Sequence, residues 1–497
     1  MERPVQLVDV PKSPFICRNL VGGEWQEPTD VEWRDIVSPY TGTVVGKVPL
    51  CGAAEVEAVA KKASEAAKTW SKTPLKERTQ YLFRFRDLVL ANLDRLGNVA
   101  ALESGKTVAE GKAGVLKGVE ILEFALSLQN LDKGDAMDVS RGVQCVTVRQ
   151  PLGVVAGISP FNFPAMVPMW MFPTAVTLGN AFVLKPSEKV PMSACVIGEL
   201  MVEAGYPPGV FSIVHGERAA VEGVVDSDAI KAVGFVGSTK VAKIVYGRAA
   251  NLGKRSLCLG GAKNHLILVP DANPDVAIDG IVSSFIGCAG QRCMAASVLV
   301  AVGDCEDLLT KITERAKRIE LGKDMGALID KAALTRLNEA IEMAVKDGAT
   351  IRLDGRGVAA PKGYEEGYWL APTIIDNAKG NLDCATRELF GPIITIVRVK
   401  TLGEAMKFEN TNPYGNATSV FTSSGAVAQY VSVHATSGMI GVNIGVPVPR
   451  EPFAFGGSKD SRFGVGDMTG MGGVELWSYT KKVTTKWELQ SDSTWMS

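Results

Sequence analysis

The sequence predicts an α/β chain containing two successive parallel sheets, each flanked by helices. Three observations predict it. Short, largely apolar runs recur at 153–158, 181–184, 210–214 and 232–236, and strand candidates again at 265–269, 297–302, 392–397 and 418–421. Strands that hide both faces read this way, because helices cover the sheet above and below. Helix-length stretches separate the runs, at 192–204 and 218–226 in the first cycle, and at 274–287, 306–318, 331–347 and 403–411 in the second. The two cycles meet near 255–265, which is the expected main boundary.

Before the first cycle, residues 54–70 and 75–130 read as amphipathic helices. The first is rich in Ala, Glu and Lys, and in the second Leu82, Phe85, Leu88 and Val89 recur at helical spacing. Residues 143–148 and 483–487 alternate as strands do. Neither has a partner within its own cycle, so the two are expected to pair with each other or with another subunit.

At 497 residues the chain is long enough for two or three domains. Its formal net charge of −1 provides no bulk field for nucleic acid or an anionic membrane. The segment from Gln150 to Leu184 lacks charge, but Pro151, Pro160, Pro164, Pro168 and Pro173 interrupt any spanning helix, so a buried strand, a turn and a core helix are expected. Nine scattered cysteines without a C-x-x-C suit a reducing compartment. With acids early and no apolar core at the N-terminus, the expectation is cytoplasmic. The three histidines, His215, His265 and His434, stand far apart in sequence with no Cys/His cluster, so no metal site is expected.

Four constellations can carry chemistry. Phe161-Asn162-Phe163-Pro164 follows a buried strand, where the Asn162 amide could face an oxyanion or simply form an Asx-turn or helix cap. Lys185-Pro186-Ser187-Glu188 ends the next strand and could hold ribose hydroxyls or form a solvated turn. Gly237-Ser238 leads a strand into a helix, fitting a pyrophosphate or a plain N-cap. Cys293, in Gly290-Gln291-Arg292-Cys293, is either an inert buried thiol or a nucleophile whose thiolate Arg292 favours. Cys288 reads as packing.

As an ordered set, these motifs, with Gly260-Gly261, Glu388-Leu389-Phe390-Gly391-Pro392 and Asn412-Pro413-Tyr414-Gly415, resemble the aldehyde dehydrogenase superfamily from about Asn19 to Trp487. The resemblance implies a Rossmann-type NAD domain over 1–130 and 152–258, an α/β catalytic domain over 259–475, and a small β oligomerisation element from 131–151 and 476–497. It implies Cys293 as nucleophile and Asn162 as oxyanion donor. Pro160, Phe161, Lys185, Ser187, Glu188, Gly237, Ser238, Glu388 and Phe390 would bind NAD. Subunits would join as dimers or tetramers.

Within that superfamily the run Pro160 to Pro173 and the sequences around Gly261 and Cys293 are most similar to methylmalonate- and malonate-semialdehyde dehydrogenases, which make acyl-CoA. Most hydrolytic relatives carry Glu where this chain has Leu259. Its absence implies that CoA, rather than water, accepts the acyl group, after decarboxylation. Such enzymes bind the substrate carboxylate with two arginines; Arg292 matches one and Lys117 replaces the other. Arg450 falls where relatives are apolar and is expected either to meet the substrate anion or to pair with Glu451. Ala242 stands where the phosphate loop usually has its second Gly, and its methyl is expected to tighten or shift the cofactor pocket. Two alternatives are an acid-forming dehydrogenase of a sulfonated or dicarboxylic aldehyde and a non-catalytic scaffold.

Overall fold

The computed structural model describes residues 7–487. Its first large sheet has eight strands in the order Arg462–Gly464, Arg255–Leu259, Ile230–Val236, Val154–Ile158, Ala181–Lys185, Phe211–Ile213, Asn19–Val21 and Glu24–Gln26. The five central strands are parallel, and every residue of Val154–Ile158 and Ala181–Lys185 is buried. From the 154–158 strand the chain winds outward one way through 181–185 and 211–213. It then returns to wind the other way through 230–236 and 255–259. This reversal opens a crevice at the carboxyl ends of the 154–158 and 230–236 strands, the usual ligand position in open α/β sheets.

The second sheet has seven strands, in the order Thr350–Leu353, Thr373–Asp376, Ile393–Val399, Ala296–Val302, Asn264–Leu268, Ala417–Phe421 and Met439–Val442, and only the first pairs antiparallel. The 255–259 strand lies in the first sheet and the 264–268 strand in the second. The passage between sheets is therefore Gly260 to Lys263, inside the expected boundary. One later strand crosses back: Arg462–Gly464 pairs antiparallel with 255–259 and closes the edge of the first sheet.

The 75–130 stretch is three helices, Leu75–Ala91, Leu93–Ser104 and Val108–Leu131. Gly105, at φ +81°, ends the second helix, and Thr107 caps the third in a reciprocal pair with Glu110. The uncharged segment holds the helix Met166–Thr177, buried at every position between two buried strands. Among the described residues no helix is long and apolar enough to cross a membrane. A three-stranded sheet of Phe15–Ile16, Val44–Leu50 and Glu32–Val37 has no counterpart in the sequence reading.

The two orphan strands do pair with each other. Val143–Pro151 runs antiparallel to Ser478–Lys486 through nine residue pairs, with Ala136–Ser140 on its far side. Residues 488–497 of the expected oligomerisation element lie outside the described residues.

Candidate active site

The crevice of the first sheet collects the residues expected at a dinucleotide. Lys185, the last residue of its strand, is buried; its Nζ donates to the Gly216 carbonyl at 2.7 Å and lies 3.7 Å from a Glu188 oxygen. Burial lowers the Lys185 pKa, and Glu188 opposes the shift. A buried lysine facing a carboxylate is a built polar site rather than a solvated turn. Ser187 sits beside it, buried. Across the crevice, Ser238 is the N-cap of helix Thr239–Asn251 with no side-chain capping bond, so the first-turn N–H groups remain available to an anion.

Pro160 and Phe161 follow the 154–158 strand, and the Phe161 ring meets Phe390 edge-on at 5.7 Å. Phe390 takes a left-handed φ of +59° beside Glu388. One Glu388 oxygen accepts from the Ala262 N–H at 2.9 Å, and a Cβ on Gly261 would collide with this carboxylate. Burial pushes the Glu388 carboxyl up to about 7. Ala242 departs from its expectation: it is fully buried in the core under its helix, packed with residues such as Phe235 and Val245. Its methyl fills core space.

Cys293 lies in the loop between helix Pro274–Ile286 and strand Ala296–Val302. Its carbonyl accepts from Asn264 Nδ2 at 2.7 Å and Asn416 Nδ2 at 2.8 Å, so amides at the starts of two strands of the second sheet fix the loop. Sequence reasoning missed both as positioning residues; the signal was a buried Asn at the start of an apolar strand. Asn162 comes to the same loop. Its Nδ2 donates to the Gln291 carbonyl at 2.9 Å, neither an Asx-turn nor a cap, and Lys106 Nζ holds its backbone carbonyl at 2.6 Å. Lys106 also lies 4.0 Å from the centre of the Phe163 ring.

Arg292 reaches the Cys293 cavity but makes its nearest contacts elsewhere. Its Nε donates to Cys288 Sγ at 3.4 Å and its guanidinium lies 3.6 Å from Glu110, which also accepts from the Cys288 N–H at 2.6 Å. The cation therefore faces Cys288, which was read as mere packing. Burial, reinforced by Glu388, pushes the Cys293 thiol up to about 12, and the opposing pull of Arg292 is weaker.

Cys293 opens into a cavity of about 390 Å³, lined on its apolar side by Phe163, Met166, Trp170, Val446, Val448 and Phe455. Arg292, Lys117 and Arg450 also reach it, as do Glu110 and Glu120. Lys117 Nζ is 2.7 Å from Glu120 and 3.6 Å from Glu451. The expected Arg450–Glu451 pair does not form, because Glu451 turns inward to Lys117. Among the described residues Arg450 has no ion pair. Leu259 is buried where its strand ends, so no carboxylate stands there.

The absence of a Cys/His cluster also fails in three dimensions. Cys17, Cys195 and His215 meet in the first domain, although the sequence separates them.

Comparison with known proteins agrees with this arrangement. The family model described as Aldehyde dehydrogenase family matches residues 25–483. The chain is 40% identical over 485 residues to the mitochondrial methylmalonate-semialdehyde dehydrogenase [acylating] of Arabidopsis thaliana, covering 96% of this chain and 80% of that one. It is 41% identical over 479 residues to malonate-semialdehyde dehydrogenase 3 of Geobacillus kaustophilus, covering 95% and 99%. A crystal structure of methylmalonate-semialdehyde dehydrogenase from Oceanimonas doudoroffii superposes with a TM-score of 0.94 at 37% identity, covering 96% and 99%. A crystal structure from Sinorhizobium meliloti, described as a putative methylmalonate-semialdehyde dehydrogenase complexed with NAD, gives 0.94 at 35%, covering 97% and 99%. With the family model matching residues 25–483 and about 40% identity to these relatives over nearly its whole length, the chain belongs to the aldehyde dehydrogenase family.

Proposed function

We propose that this protein oxidises methylmalonate and malonate semialdehydes with NAD and passes the acyl group to CoA, losing CO2, to give propanoyl-CoA and acetyl-CoA. The observation that carries the reading is a pocket cysteine held by two amides with Leu259, and no carboxylate, at the end of the neighbouring strand. The crevice suits a dinucleotide: the uncapped helix start at Ser238 can take the pyrophosphate, while Lys185 with Glu188 and Glu388 can hold the two riboses. A carboxylate at Glu188 favours NAD over a cofactor with a 2′-phosphate. Bound there, NAD supplies the hydride acceptor.

The chain's own residues do the rest. Cys293 attacks the aldehyde carbon as its thiol proton leaves to solvent; burial and Glu388 hold that proton in the resting protein, while Arg292, with the positive charge that NAD would bring, favours its loss. Asn162 has two amide hydrogens; one is spent on Gln291 and the other, with the Cys293 backbone N–H, can face the oxyanion. After oxidation Cys293 carries a thioester. Leu259 cannot deprotonate water, and the partly ionised CoA thiol needs little activation. A carboxylate β to the thioester carbonyl allows CO2 to leave before transfer.

We assign NAD binding to 1–130 and 152–258, the cysteine to a catalytic domain of 259–475, from which only the strand Arg462–Gly464 crosses back to the first sheet, and the joining of subunits into dimers or tetramers to 131–151 with 476–497. Exposed Met137, Val139 and Val483 on the three-stranded sheet support that last role. The nine cysteines, all free, suit the reducing cytoplasm. One observation favours a second reading: Glu388, with its carboxyl near 7 and its charge acting on Cys293, could activate water and make a free acid. Incubation with NAD and malonate semialdehyde, with and without CoA, separates the two by mass of the product. Acetyl-CoA with a strict CoA requirement is expected; free acid formed at full rate without CoA would overturn the acylating reading.

A further inference from the structure

Cys17, Cys195 and His215 take no part in the chemistry above, yet three separate elements bring them together. Cys17 lies between the strands Phe15–Ile16 and Asn19–Val21, Cys195 on helix Met192–Glu203, and His215 just past strand Phe211–Ile213. Their ligand atoms all lie within 4.8 Å of one another, and the residues are 0%, 2% and 0% exposed.

The spacing is that of a coordination site. Cys195 Sγ is 3.5 Å from His215 Nε2. Two ligands at the usual zinc–sulfur and zinc–nitrogen distances subtend about 3.5 Å at a tetrahedral angle. The Arg18 carbonyl oxygen is 3.1 Å from the same nitrogen, at hydrogen-bond distance from it and near enough to serve as a fourth donor.

Surrounding groups hold the donors in place. Glu103 accepts from the Met192 and Ser193 N–H groups at 2.6 and 2.9 Å and so fixes the start of the helix that carries Cys195. Asn19 accepts from the His215 N–H at 3.0 Å, and its amide occupies the Cys51 thiol at 3.3 Å.

We infer that Cys17, Cys195 and His215 bind one zinc ion, with the Arg18 carbonyl as the fourth ligand, in a closed structural site. Binding displaces one proton from each thiol, and the two thiolates cancel the charge of Zn²⁺. A neutral site is the form that full burial tolerates; monovalent copper would leave a buried negative charge. The ion would tie the segment before the 19–21 strand to the turn that positions Lys185, because His215 precedes the Gly216 carbonyl that Lys185 holds.

The test uses the full chain, without a polyhistidine tag, purified from zinc-supplemented cells and measured by elemental mass spectrometry. About one zinc per chain is expected, as in closed Cys/His sites. It should remain in Cys293→Ser and be lost from the Cys17→Ser, Cys195→Ser double variant. Stripping the wild type with a chelator should lower Tm by several degrees, and cobalt should restore it with a thiolate-to-cobalt absorption band. Three wild-type or control results overturn the site whatever the double variant does. These are no zinc as purified and none captured against a micromolar chromophoric chelator, loss of zinc in Cys293→Ser, or a Cys17–Cys195 disulfide in protein prepared without reductant.

Discussion

The cofactor crevice and the aldehyde pocket lie on either side of Cys293, and they manage charge in opposite ways. In the crevice Lys185 and Glu188 sit at and just past the end of a strand and follow from the local turn, while Glu388 is held by a remote segment. Lys185 and Glu188 are three residues apart in sequence and 3.7 Å apart in space. In the pocket, cations also take carboxylates from remote segments: Arg292 meets Glu110, and Lys117 meets Glu451 in addition to the nearer Glu120 of its own helix. A crevice of this kind is built by the sheet, so substitutions there should affect the cofactor alone. A pocket balanced by distant pairs can be retuned by changing either member of a pair.

The sharpest separation of the two regions is Cys293→Ala. Turnover should fall by about 10⁴-fold or more, since no other group near the carbonyl can form the thioester. NAD binding, followed by fluorescence titration, should stay within about twofold. A large loss of NAD affinity would mean that the cysteine loop helps to build the crevice.

Glu388 joins the two regions, and its titration gives the next effect. Its carboxyl is raised from 4.5 to about 7 by burial. The folded protein thus keeps a proton that the unfolded chain releases between these values. The stabilisation is fully present below about pH 4.5 and is lost as pH rises through about 7, a change of about 1–3 kcal/mol. Thermal unfolding of the NAD-free protein between pH 5 and 8 should show this decline, and Glu388→Gln should remove it. An unchanged slope in that variant would show that Glu388 is already ionised in the resting protein.

The contrast also explains what could be read in advance. The buried central strands of the two cycles and the helices between them follow from largely apolar runs and helical spacing, because burial on both faces leaves a local record; strands Arg255–Leu259, Thr350–Leu353, Thr373–Asp376 and Met439–Val442 and helices Thr239–Asn251 and Gly425–His434 were not read. Asn162 and Cys293 were legible as candidates for the same reason: each sits in a turn beside a buried element. The balance of charge was not legible. Glu110 belongs to the cap at Thr107, and only the fold turns its other oxygen toward the Cys288 N–H and Arg292. Glu451 is adjacent to Arg450 in sequence, yet it turns inward to meet Lys117 from a segment far along the chain. The Cys17–Cys195–His215 cluster escaped for the same reason, since spacing along the chain says nothing about donors brought together by three elements. Phe15–Ile16 is only two residues long, and charged residues such as Arg34, Asp35 and Lys47 interrupt Glu32–Val37 and Val44–Leu50, so these strands lack the apolar run that marked the others.

If pocket cations are set by their carboxylate partners, Arg450 and Lys117 should respond differently. Arg450 lines the cavity with no ion pair among the described residues and can meet a substrate anion directly. Arg450→Ala should raise KM for malonate semialdehyde about tenfold, the scale of one charge-assisted hydrogen bond, and leave propanal nearly unchanged. Glu120→Gln removes the nearer of the two carboxylates on Lys117 and should lower the same KM by about twofold to threefold, less at high salt. Equal KM values for the anionic and neutral aldehydes in both variants would place the substrate carboxylate elsewhere, leaving Arg292 as its remaining cationic partner.

The smallest effect tests the crevice through a residue that only borders it. Ala242 lies one turn into the helix that Ser238 opens, and its N–H closes that turn on the Ser238 carbonyl at 2.8 Å. Its methyl is buried in the core, so Ala242→Gly removes core contact and loosens the helix together. The two losses amount to about 1–2 kcal/mol. Tm should fall by a few degrees while KM for NAD changes by less than about twofold, because the first-turn N–H groups that face the anion keep their positions. A severalfold change in KM with Tm intact would mean instead that this methyl presses on the cofactor, and that the crevice is tuned by its helix as closely as the pocket is tuned by its ion pairs.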